Sequence, residues 1–254
     1  MYLTIQALVL RVVNYNDTDA LLTVLSKTHG KITLKARGLR RKQSRLIAPC
    51  QLLAYAEFTV FEYRGYYTIN EAHSLELFTP LRKDICRLSL ATYFAQVTDV
   101  LAQEDQPDPE LLALVLNCLH ALSYMQVHEQ KVKAVFELRG ACLAGYSPDL
   151  STCHNCGCED PDRFDIFEGR LECSKCRGLT DGGIRMPVTP GILDAMRYIC
   201  FCDSKRLFSF DVGENTIAEL SGITEGYIST QLERGFSALD FYKSLAEPSI
   251  LDWR

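Results

Sequence analysis

The first eighty residues alternate between apolar and polar side chains, which is typical of short strands. Turn signals of the Asn/Asp, His-Gly and Arg-Gly kind separate five such segments: 5–13, 20–25, 31–37, 52–61 and 66–72. In the third segment, one face carries Ile32, Leu34 and Ala36, and the opposite face carries Lys31, Thr33, Lys35 and Arg37. The pattern predicts a small barrel or sandwich with an apolar core and a basic outer face.

After Pro80 the apolar residues recur every three to four positions, which predicts helices. Pro or Glu residues mark helix starts, and Gly or acidic, proline-containing segments mark helix ends. The predicted helices are 85–101, 110–126, 129–144, 190–201, 214–220 and 225–245. We therefore expect an α+β chain with a β domain at 1–80. The helical domain covers 81–150 and 184–254, and an insertion at 151–183 interrupts it.

Two Cys-x-x-Cys pairs dominate the insertion. Cys153-His-Asn-Cys156 and Cys173-Ser-Lys-Cys176 lie sixteen residues apart, and four thiolates at this spacing fill a tetrahedral zinc site. Because no coordination position is left for a reacting water, the pattern predicts one structural zinc ion. The stretch from Arg163 to Leu171, with Gly169, is typical of the hairpin of a zinc ribbon.

The sequence leaves some other interpretations of these cysteines open and argues against others. His154 or Cys158 lies close enough to replace one knuckle cysteine, and an iron–sulfur cluster also takes four thiolates. A redox Cys-x-x-Cys would open a helix in a βαβ unit, and a deaminase zinc site would need a His-x-Glu motif. Neither context is present here. Only metal analysis separates zinc from iron.

The chain has 254 residues, 47% of them hydrophobic, so it can bury a core of its own. It contains no run of eighteen apolar residues and no signal-peptide pattern at its start, which predicts a cytoplasmic protein that does not associate with a membrane. Eleven cysteines, an odd number, suit reduced thiols better than a disulfide framework.

Charge is distributed unevenly. The net charge is −5, yet eight Lys or Arg residues and no Asp or Glu stand between Lys27 and Arg45, so the rest of the chain carries −13. Such a cluster can neutralise several phosphates and predicts sequence-independent, salt-sensitive nucleic-acid binding. The candidate phosphate contacts are Lys31, Lys35, Arg37, Arg40, Arg41, Lys42 and Arg45.

Single-strand binding usually adds aromatic rings on which bases stack. Six rings lie between Tyr55 and Tyr67, and by alternation we expect at least half of them to belong to the core. Tyr66 and Tyr67 are the candidates for stacking beside the basic face.

The sequence has no common catalytic motif and only a partial motif for sequence-specific binding of duplex DNA. The chain has no phosphate-binding P-loop, no His-Glu-x-x-His and no Gly-x-Ser-x-Gly motif, and its five histidines are scattered. We therefore predict that it is not an enzyme. Residues 217–232, with a Ser221-Gly222 turn signal, partly resemble a helix-turn-helix, but Glu225 would start the recognition helix where phosphates come near.

Several stretches together resemble a known family. The most specific is Phe136-Glu-Leu-Arg-Gly-Ala-Cys-Leu-Ala-Gly-Tyr-Ser-Pro-Asp-Leu-Ser-Thr-Cys153, in which a helix ends at Gly and Pro and leads into the first knuckle. Shorter matches are Asp17-Thr18-Asp19, Thr28-His29-Gly30-Lys31, Ala36-Arg37-Gly38 and Lys243-Ser244-Leu245. Over nearly its whole length, the chain resembles the RecO family of bacterial recombination mediators.

This resemblance implies a fold and a set of partners. It implies an N-terminal OB-fold barrel, then a helical domain with an inserted four-cysteine zinc ribbon. The implied role is non-enzymatic: binding single- and double-stranded DNA, annealing complementary strands and, with RecR, promoting RecA loading on strands coated by SSB. RecF is a further implied partner, and the nucleoid the implied location. Contacts for the acidic SSB tail would be Lys131, Lys133 and Arg139.

Two functions of other classes remain open from the sequence. A zinc-ribbon adaptor would use the basic segment to meet an acidic protein, and a helix-turn-helix regulator would read one duplex site. The oligomeric state, the RecR-facing surface and the need for RecF are not determined by the sequence.

Overall fold

The computed structural model describes residues 1–176 and 183–246. Positions 177–182 of the predicted ribbon and 247–254 of the predicted helical domain therefore lie outside the described residues. The described residues form two compact units: the first comprises Met1–Met125 and Phe236–Ala246, and the second comprises Gln126–Gly235. The predicted three-part domain division stays a prediction.

Five strands form a closed barrel in the first unit. They are β1 (Tyr2–Asn14), β2 (Ala20–Ser26), β3 (Gly30–Ala36), β4 (Tyr55–Tyr63) and β5 (Tyr66–Glu76). Their order is β1-β2-β3-β5-β4, closed by β1 against β4, and only the β3–β5 pair is parallel. This is the five-stranded OB-fold barrel, so the structure decides for a barrel over a sandwich.

Alternation places the barrel core as the sequence predicts. In β3 the side chains of Ile32, Leu34 and Ala36 are buried, while Thr33 is exposed. Phe58 and Val60 of β4 point into the same core. The opposite face of β3 therefore carries its polar side chains outward, as a period of two requires.

Helices pack beside the barrel in the same unit. α1 (Ile85–Leu101) begins after a 3₁₀ turn at Thr79–Lys83, and α2 (Pro109–Tyr124) follows it. Each start is capped by an aspartate: Asp84 accepts hydrogen bonds from two backbone N–H groups of α1, and Asp108 accepts one from α2. These local signals explain why the predicted limits of α1 hold.

The β2–β3 hairpin fixes the segment that follows α1. Gly30 has φ +66°, and a Cβ on it would lie 2.1 Å from the carbonyl oxygen of Gln106, so no other residue fits here. Lys31 donates its backbone N–H to Gln103 O (3.4 Å) and accepts from Asp105 N (3.1 Å). The acidic segment after α1 is thereby held at one end of β3.

The second unit combines three helices with a small sheet. The helices are α3 (Glu129–Leu143), α4 (Pro190–Phe201) and α5 (Glu214–Gln231). The strands are β6 (Asp149–Cys153), β7 (Arg163–Asp165), β8 (Arg170–Glu172) and β9 (Arg185–Pro187), in the order β6-β8-β7-β9. The antiparallel β7–β8 pair, turning at Gly169 (φ +67°), is the predicted ribbon hairpin.

The predicted break at Gly222 is wrong. α5 continues through it to Gln231, the chain turns at Glu233 (φ +51°), and α6 (Ser237–Ala246) then packs on α1 in the first unit. Gly222 and Gly226 lie one helical turn apart and face Met186 of β9, so glycine serves close packing here instead of a turn. The turn of a helix-turn-helix is therefore missing from residues 214–231.

Candidate nucleic-acid interface and metal centre

A groove of about 700 Å³ runs over the outer face of the barrel. Its floor is formed by outward residues of β2 and β3, including Thr23 and Thr33, and its walls by Tyr15 of the β1–β2 loop and Tyr66 beside the β4–β5 turn. OB-folds bind oligonucleotides on this face and between these two loops. The groove is therefore the candidate strand-binding surface of this unit.

Four exposed aromatic rings line this groove: Tyr15 (58% exposed), Phe61 (42%), Tyr63 (58%) and Tyr66 (78%). Tyr67, the other sequence candidate, also lines it, whereas Phe58 is fully buried. Sequence reasoning included Phe61 and Tyr63 among the six rings, on the face opposite to Phe58, but it preferred Tyr66 and Tyr67 and overlooked Tyr15. The expectation that at least half of the six rings belong to the core is wrong, because only Phe58 is buried.

Neighbouring side chains contact three of these rings. The Lys35 ammonium lies 4.7 Å from the centre of the Tyr15 ring, and the Arg64 guanidinium lies 5.2 Å from that of Tyr63. The rings of Tyr2 and Phe61 are 5.3 Å apart. Such contacts restrict the rotamers of these exposed rings.

Three of the four cations that line the groove, Arg11, Lys31 and Lys35, already have a carboxylate partner. The Lys31 Nζ donates to the Asp99 backbone oxygen (2.7 Å) and lies 3.6 Å from the Asp99 carboxylate, which also lies 3.3 Å from Arg11 Nε. Lys35 lies 3.8 Å from Asp19 Oδ2. Two of the seven predicted phosphate contacts therefore have an intramolecular carboxylate partner.

The other five predicted contacts form what we call the basic rim: Arg37, Arg40, Arg41, Lys42 and Arg45. All five are exposed, and three of them line a second concavity of about 590 Å³ that meets the groove at Arg37. No Asp or Glu lies between residues 37 and 45. The rim is thus the strongest uncompensated positive charge beside the groove.

The β1–β2 loop holds the basic rim in place. Asp19 Oδ1 accepts the Gly38 N–H (2.9 Å), and Arg40 donates its backbone N–H to Thr18 O and its guanidinium to Asn16 O, both at 3.0 Å. The Gly38 hydrogen bond holds the pKa of the Asp19 carboxyl below its usual value. Groove wall and rim therefore form one connected surface.

Carboxylates close one end of the groove. Asp99, Glu104 and Asp105 line it, placed there by α1 and the segment held against Lys31. In the sequence, Glu104 and Asp105 only mark the acidic, proline-containing segment that ends the first helix, and both side chains are exposed. Their position only follows from the approach of this segment to Gly30, which no local pattern indicates.

The four knuckle cysteines converge on one point. Their sulfur atoms all lie within 4.8 Å of one another, and Cys156 Sγ lies 3.6 Å from Cys173 Sγ. Zinc–sulfur bonds of about 2.3 Å in a tetrahedron place the sulfurs about 3.8 Å apart. The residues present therefore fit a four-thiolate metal site, formed by the turns at Gly157 and at Ser174–Cys176.

The surroundings shift the pKa values of these thiols in different directions, and hydrogen bonding with Cys156 together with burial raises that of Cys176. Burial raises the pKa of Cys173, but the Cys176 N–H and hydrogen bonds with Cys156 and Cys153 outweigh it and bring the pKa to about 6. His154 instead contacts Arg170 (2.6 Å), and Cys158 packs against the cluster without joining the four-sulfur group. The structure thus groups the cysteines that the sequence singled out.

The three predicted SSB-tail contacts all have partners within their own unit. Lys131 contacts the backbone oxygen and the ring of Phe210, and Arg139 contacts the Ile199 and Cys200 carbonyls. Burial lowers the pKa of Lys131. Each cation therefore ties α3 to its neighbours, so a tail could bind there only by breaking these contacts.

Of the three predicted contacts, Lys133 is the one whose side chain is least accessible to a partner. It is 2% exposed, and its Nζ lies 3.0 Å from Glu137 and 2.9 Å from Glu225, with Ser221 completing its bonds. Removing one member of such a buried network leaves an uncompensated charge. These buried ion pairs account for a lysine at this position without any contact to SSB. We therefore leave Lys133 out of the proposed SSB surface.

An OB-fold barrel with an aromatic groove and a basic rim, followed by helices that carry a four-cysteine ribbon, defines a class of nucleic-acid-binding protein. Within that class the family is clear. The family model "Recombination protein O N terminal" matches residues 1–78, and "Recombination protein O C terminal" matches residues 82–240. The chain belongs to the RecO family, and so to the proteins of DNA repair and recombination.

Individual relatives agree with this assignment. The chain is 35% identical to the DNA repair protein RecO of Acetivibrio thermocellus over 246 residues, which is 96% of this chain and 97% of the relative. It is 29% identical to that of Alkaliphilus metalliredigens, over 96% of this chain and 100% of the relative. Among the described residues, no helix has the length and apolar character needed to cross a bilayer.

Proposed function

We propose that this chain is a recombination mediator that binds the phosphates of single- and double-stranded DNA through the basic rim and anneals complementary strands. One observation carries the proposal: five exposed cations, for which no ion pair is found among the described residues, adjoin the oligonucleotide-binding face of an OB-fold. Phosphate contacts carry no sequence information, which suits a protein that acts at any damaged site.

Annealing follows from the same charges. Two single strands repel each other through their phosphates, and each phosphate neutralised by the rim lowers that repulsion. Arg37 of the rim lines the groove itself, so its charge acts on a strand bound there from well within one Debye length, about 8 Å at physiological salt. No covalent step is part of this role.

The partners of the family complete the proposal. With RecR, and with RecF as a further partner, the protein promotes RecA loading on strands coated by SSB, at the nucleoid. The acidic SSB tail binds the helical part of the chain; Lys131 and Arg139 serve it only if they exchange their present carbonyl partners. The four-cysteine site holds one zinc ion, which supplies a structural cross-link and no chemistry.

Competition binding tests the proposal against the two other functions. A labelled random-sequence single strand should bind, and unlabelled strands of unrelated sequence should displace it equally well. Preference for one duplex site would indicate a transcription regulator, although α5 lacks the turn of that motif. Failure to bind any DNA would leave the zinc-ribbon adaptor and end the mediator proposal.

Asp99→Asn is expected to strengthen DNA binding. The substitution removes the carboxylate that neutralises Arg11 and Lys31 in the groove and leaves two cations for phosphates. Charge pairs near a protein surface are worth about 1 kcal/mol each or somewhat more, so we expect a roughly fivefold lower Kd. Fluorescence anisotropy at low salt measures it.

Asp194→Asn is the matched control. Asp194 is an exposed residue of α4 in the second unit, and its carboxylate lies 3.7 Å from Arg197 of the same helix. Its loss changes the net charge by the same amount as the loss of Asp99. Equal effects of the two substitutions would show that net charge, and not the groove pair, sets the affinity.

A further inference from the structure

Two cysteines outside the metal centre lie side by side in the second unit. Cys142 belongs to the last turn of α3 and Cys200 to the last turn of α4. They are 58 positions apart in the chain, yet their sulfur atoms lie 3.5 Å apart. Because a disulfide bond is about 2.05 Å long, the two sulfurs need to approach by only about 1.5 Å to form one. Helix packing thus assembles a thiol pair that no Cys-x-x-Cys spacing indicates.

The pair combines one accessible sulfur with one buried sulfur. Cys142 is partly exposed, whereas Cys200 is 8% exposed. Arg139 precedes Cys142 by three residues on α3, and its guanidinium donates a hydrogen bond to the Cys200 carbonyl oxygen. A fixed positive charge therefore lies beside the pair. A small reactant from solvent reaches Cys142 first, and Cys200 lies directly behind it.

The same contacts favour the reactive form of Cys142. The thiolate, and not the thiol, is the nucleophile in cysteine oxidation and in disulfide exchange. The hydrogen bond with Cys200, assisted by the charge of Arg139, outweighs burial and lowers the pKa of Cys142 to about 7. The hydrogen bond with Cys142, together with burial, raises the pKa of Cys200. At neutral pH Cys142 is therefore partly a thiolate, while Cys200 keeps the proton of the pair.

Cysteines elsewhere in the protein have a less reactive environment. Cys50 and Cys118 belong to the hydrophobic core, and burial raises the pKa of both thiols. Burial also raises the pKa of Cys202, which follows Cys200 by two residues. Cys142 therefore differs from these three in the property that governs thiol reactivity.

We infer that Cys142 and Cys200 form a peroxide-responsive thiol pair, which oxidation converts into a reversible disulfide between α3 and α4. The Cys142 thiolate attacks one oxygen of hydrogen peroxide; an S–O bond forms, the O–O bond breaks and hydroxide leaves. The Cys200 thiol then attacks the sulfur of this sulfenic acid; the S–S bond forms, the S–O bond breaks and the leaving hydroxide takes the Cys200 proton. The two sulfurs lose two electrons and peroxide gains them. With the proton that Cys142 had released, two water molecules form.

The disulfide restrains the base of the ribbon. The two cysteines enclose it in the chain, because β6 begins at Asp149, after α3, and β9 ends at Pro187, before α4. Arg197 of α4 also donates hydrogen bonds to the backbone oxygens of Leu150 and Ser151 in β6, at 2.8 and 2.9 Å. A covalent link between the helix ends closes this whole segment into a loop. Such a link stabilises the folded segment by limiting the unfolded chain.

Peptide mapping of the oxidised wild-type protein tests the pair. The metal-loaded full chain is treated with one equivalent of hydrogen peroxide at neutral pH, free thiols are alkylated, and the peptides are identified by mass spectrometry. We expect a cross-linked peptide joining Cys142 to Cys200, the loss of two free thiols per chain, and no release of metal. The melting temperature should rise by about 5 °C, because the cross-link closes a long loop. Dithiothreitol should reverse both changes.

Single variants assign the two roles. In Cys200→Ala, Cys142 has no resolving partner, so dimedone should trap its sulfenic acid. Cys142→Ala should give neither a cross-link nor a dimedone adduct at Cys200. Cys202→Ala is the matched control, because it removes the thiol two residues away and should keep the wild-type cross-link. Melting curves of the reduced variants check that each is folded.

Three results would overturn the inference. They are a cross-link through Cys202 in place of Cys142 or Cys200, oxidation of the knuckle cysteines with metal release before Cys142 reacts, and free Cys142 and Cys200 after treatment. A cross-linked protein with an unchanged melting temperature would overturn the restraint on the ribbon. Because mapping uses the wild-type chain, a variant that fails to fold leaves the test intact. None of these measurements involves DNA, so failure of the mediator proposal would leave the thiol pair standing.

Discussion

Charge reversal in the basic rim by Arg41→Glu with Lys42→Glu is expected to lower DNA affinity on the order of a hundredfold at low salt, for single strands and duplexes alike. Both side chains are exposed, and the rim segment 37–45 contains no Asp or Glu that could pair with them. Each substitution replaces an attraction to phosphate by a repulsion of about 1 kcal/mol or more. The salt slope should fall by about 0.7 per lost contact for single strands and about 0.9 for duplexes.

The matched control is Lys205→Glu with Arg206→Glu. These two residues are adjacent and exposed like the rim pair, lie in the second unit, and give the same change in net charge. Anisotropy titrations across a salt series measure both variants. Unchanged affinity and slope for the rim variant, or an equal loss in the control, would show that the rim is not the phosphate-binding surface.

Loss of the metal should unfold the ribbon. Cys173→Ser removes one of four converging thiolates, and zinc binding contributes about 10–16 kcal/mol of apparent free energy in small zinc modules. We expect the variant to lose its metal, its melting temperature to fall, and DNA affinity to decline only as a consequence. Elemental analysis of the wild-type protein should give one zinc per chain, whereas iron with visible absorption would indicate a cluster.

Cys158→Ser provides the comparison. This cysteine packs against the four-sulfur group without joining it, so the variant should retain its zinc and its melting temperature. Zinc loss in Cys158→Ser and not in Cys173→Ser would reassign the ligand. A wild-type protein that keeps full stability after chelation would falsify the structural role of the ion.

Features that depend on neighbouring residues were predictable. The alternation in β3 and the apolar period of α1 reflect geometry within a few residues, and the predicted limits of α1, 85–101, agree with the structure. The two cysteine pairs carry their turn geometry with them, which is why their convergence was expected. The five rim cations were recognisable because no anion lies among them.

Features that depend on distant residues were not predictable. Lys31 and Lys35 have the same sequence signal as the rim, but barrel and helix packing bring Asp99 and Asp19 beside them. Lys133 has the spacing of a solvated helix position and is buried against α5. Gly222 carries a turn signal, and close packing against Met186 gives it a helical role instead.

The sequence by itself therefore determined the strand and helix types, the thiolate cage, the basic segment and the family. Only the tertiary structure decided where the strand-binding groove lies, because barrel closure brings Tyr15 and Tyr66 together from loops far apart in the chain. It also decided which cations stay available to phosphates. Periodicity and spacing encode contacts within a turn or a hairpin, whereas ion pairing and ring exposure depend on which distant surfaces meet.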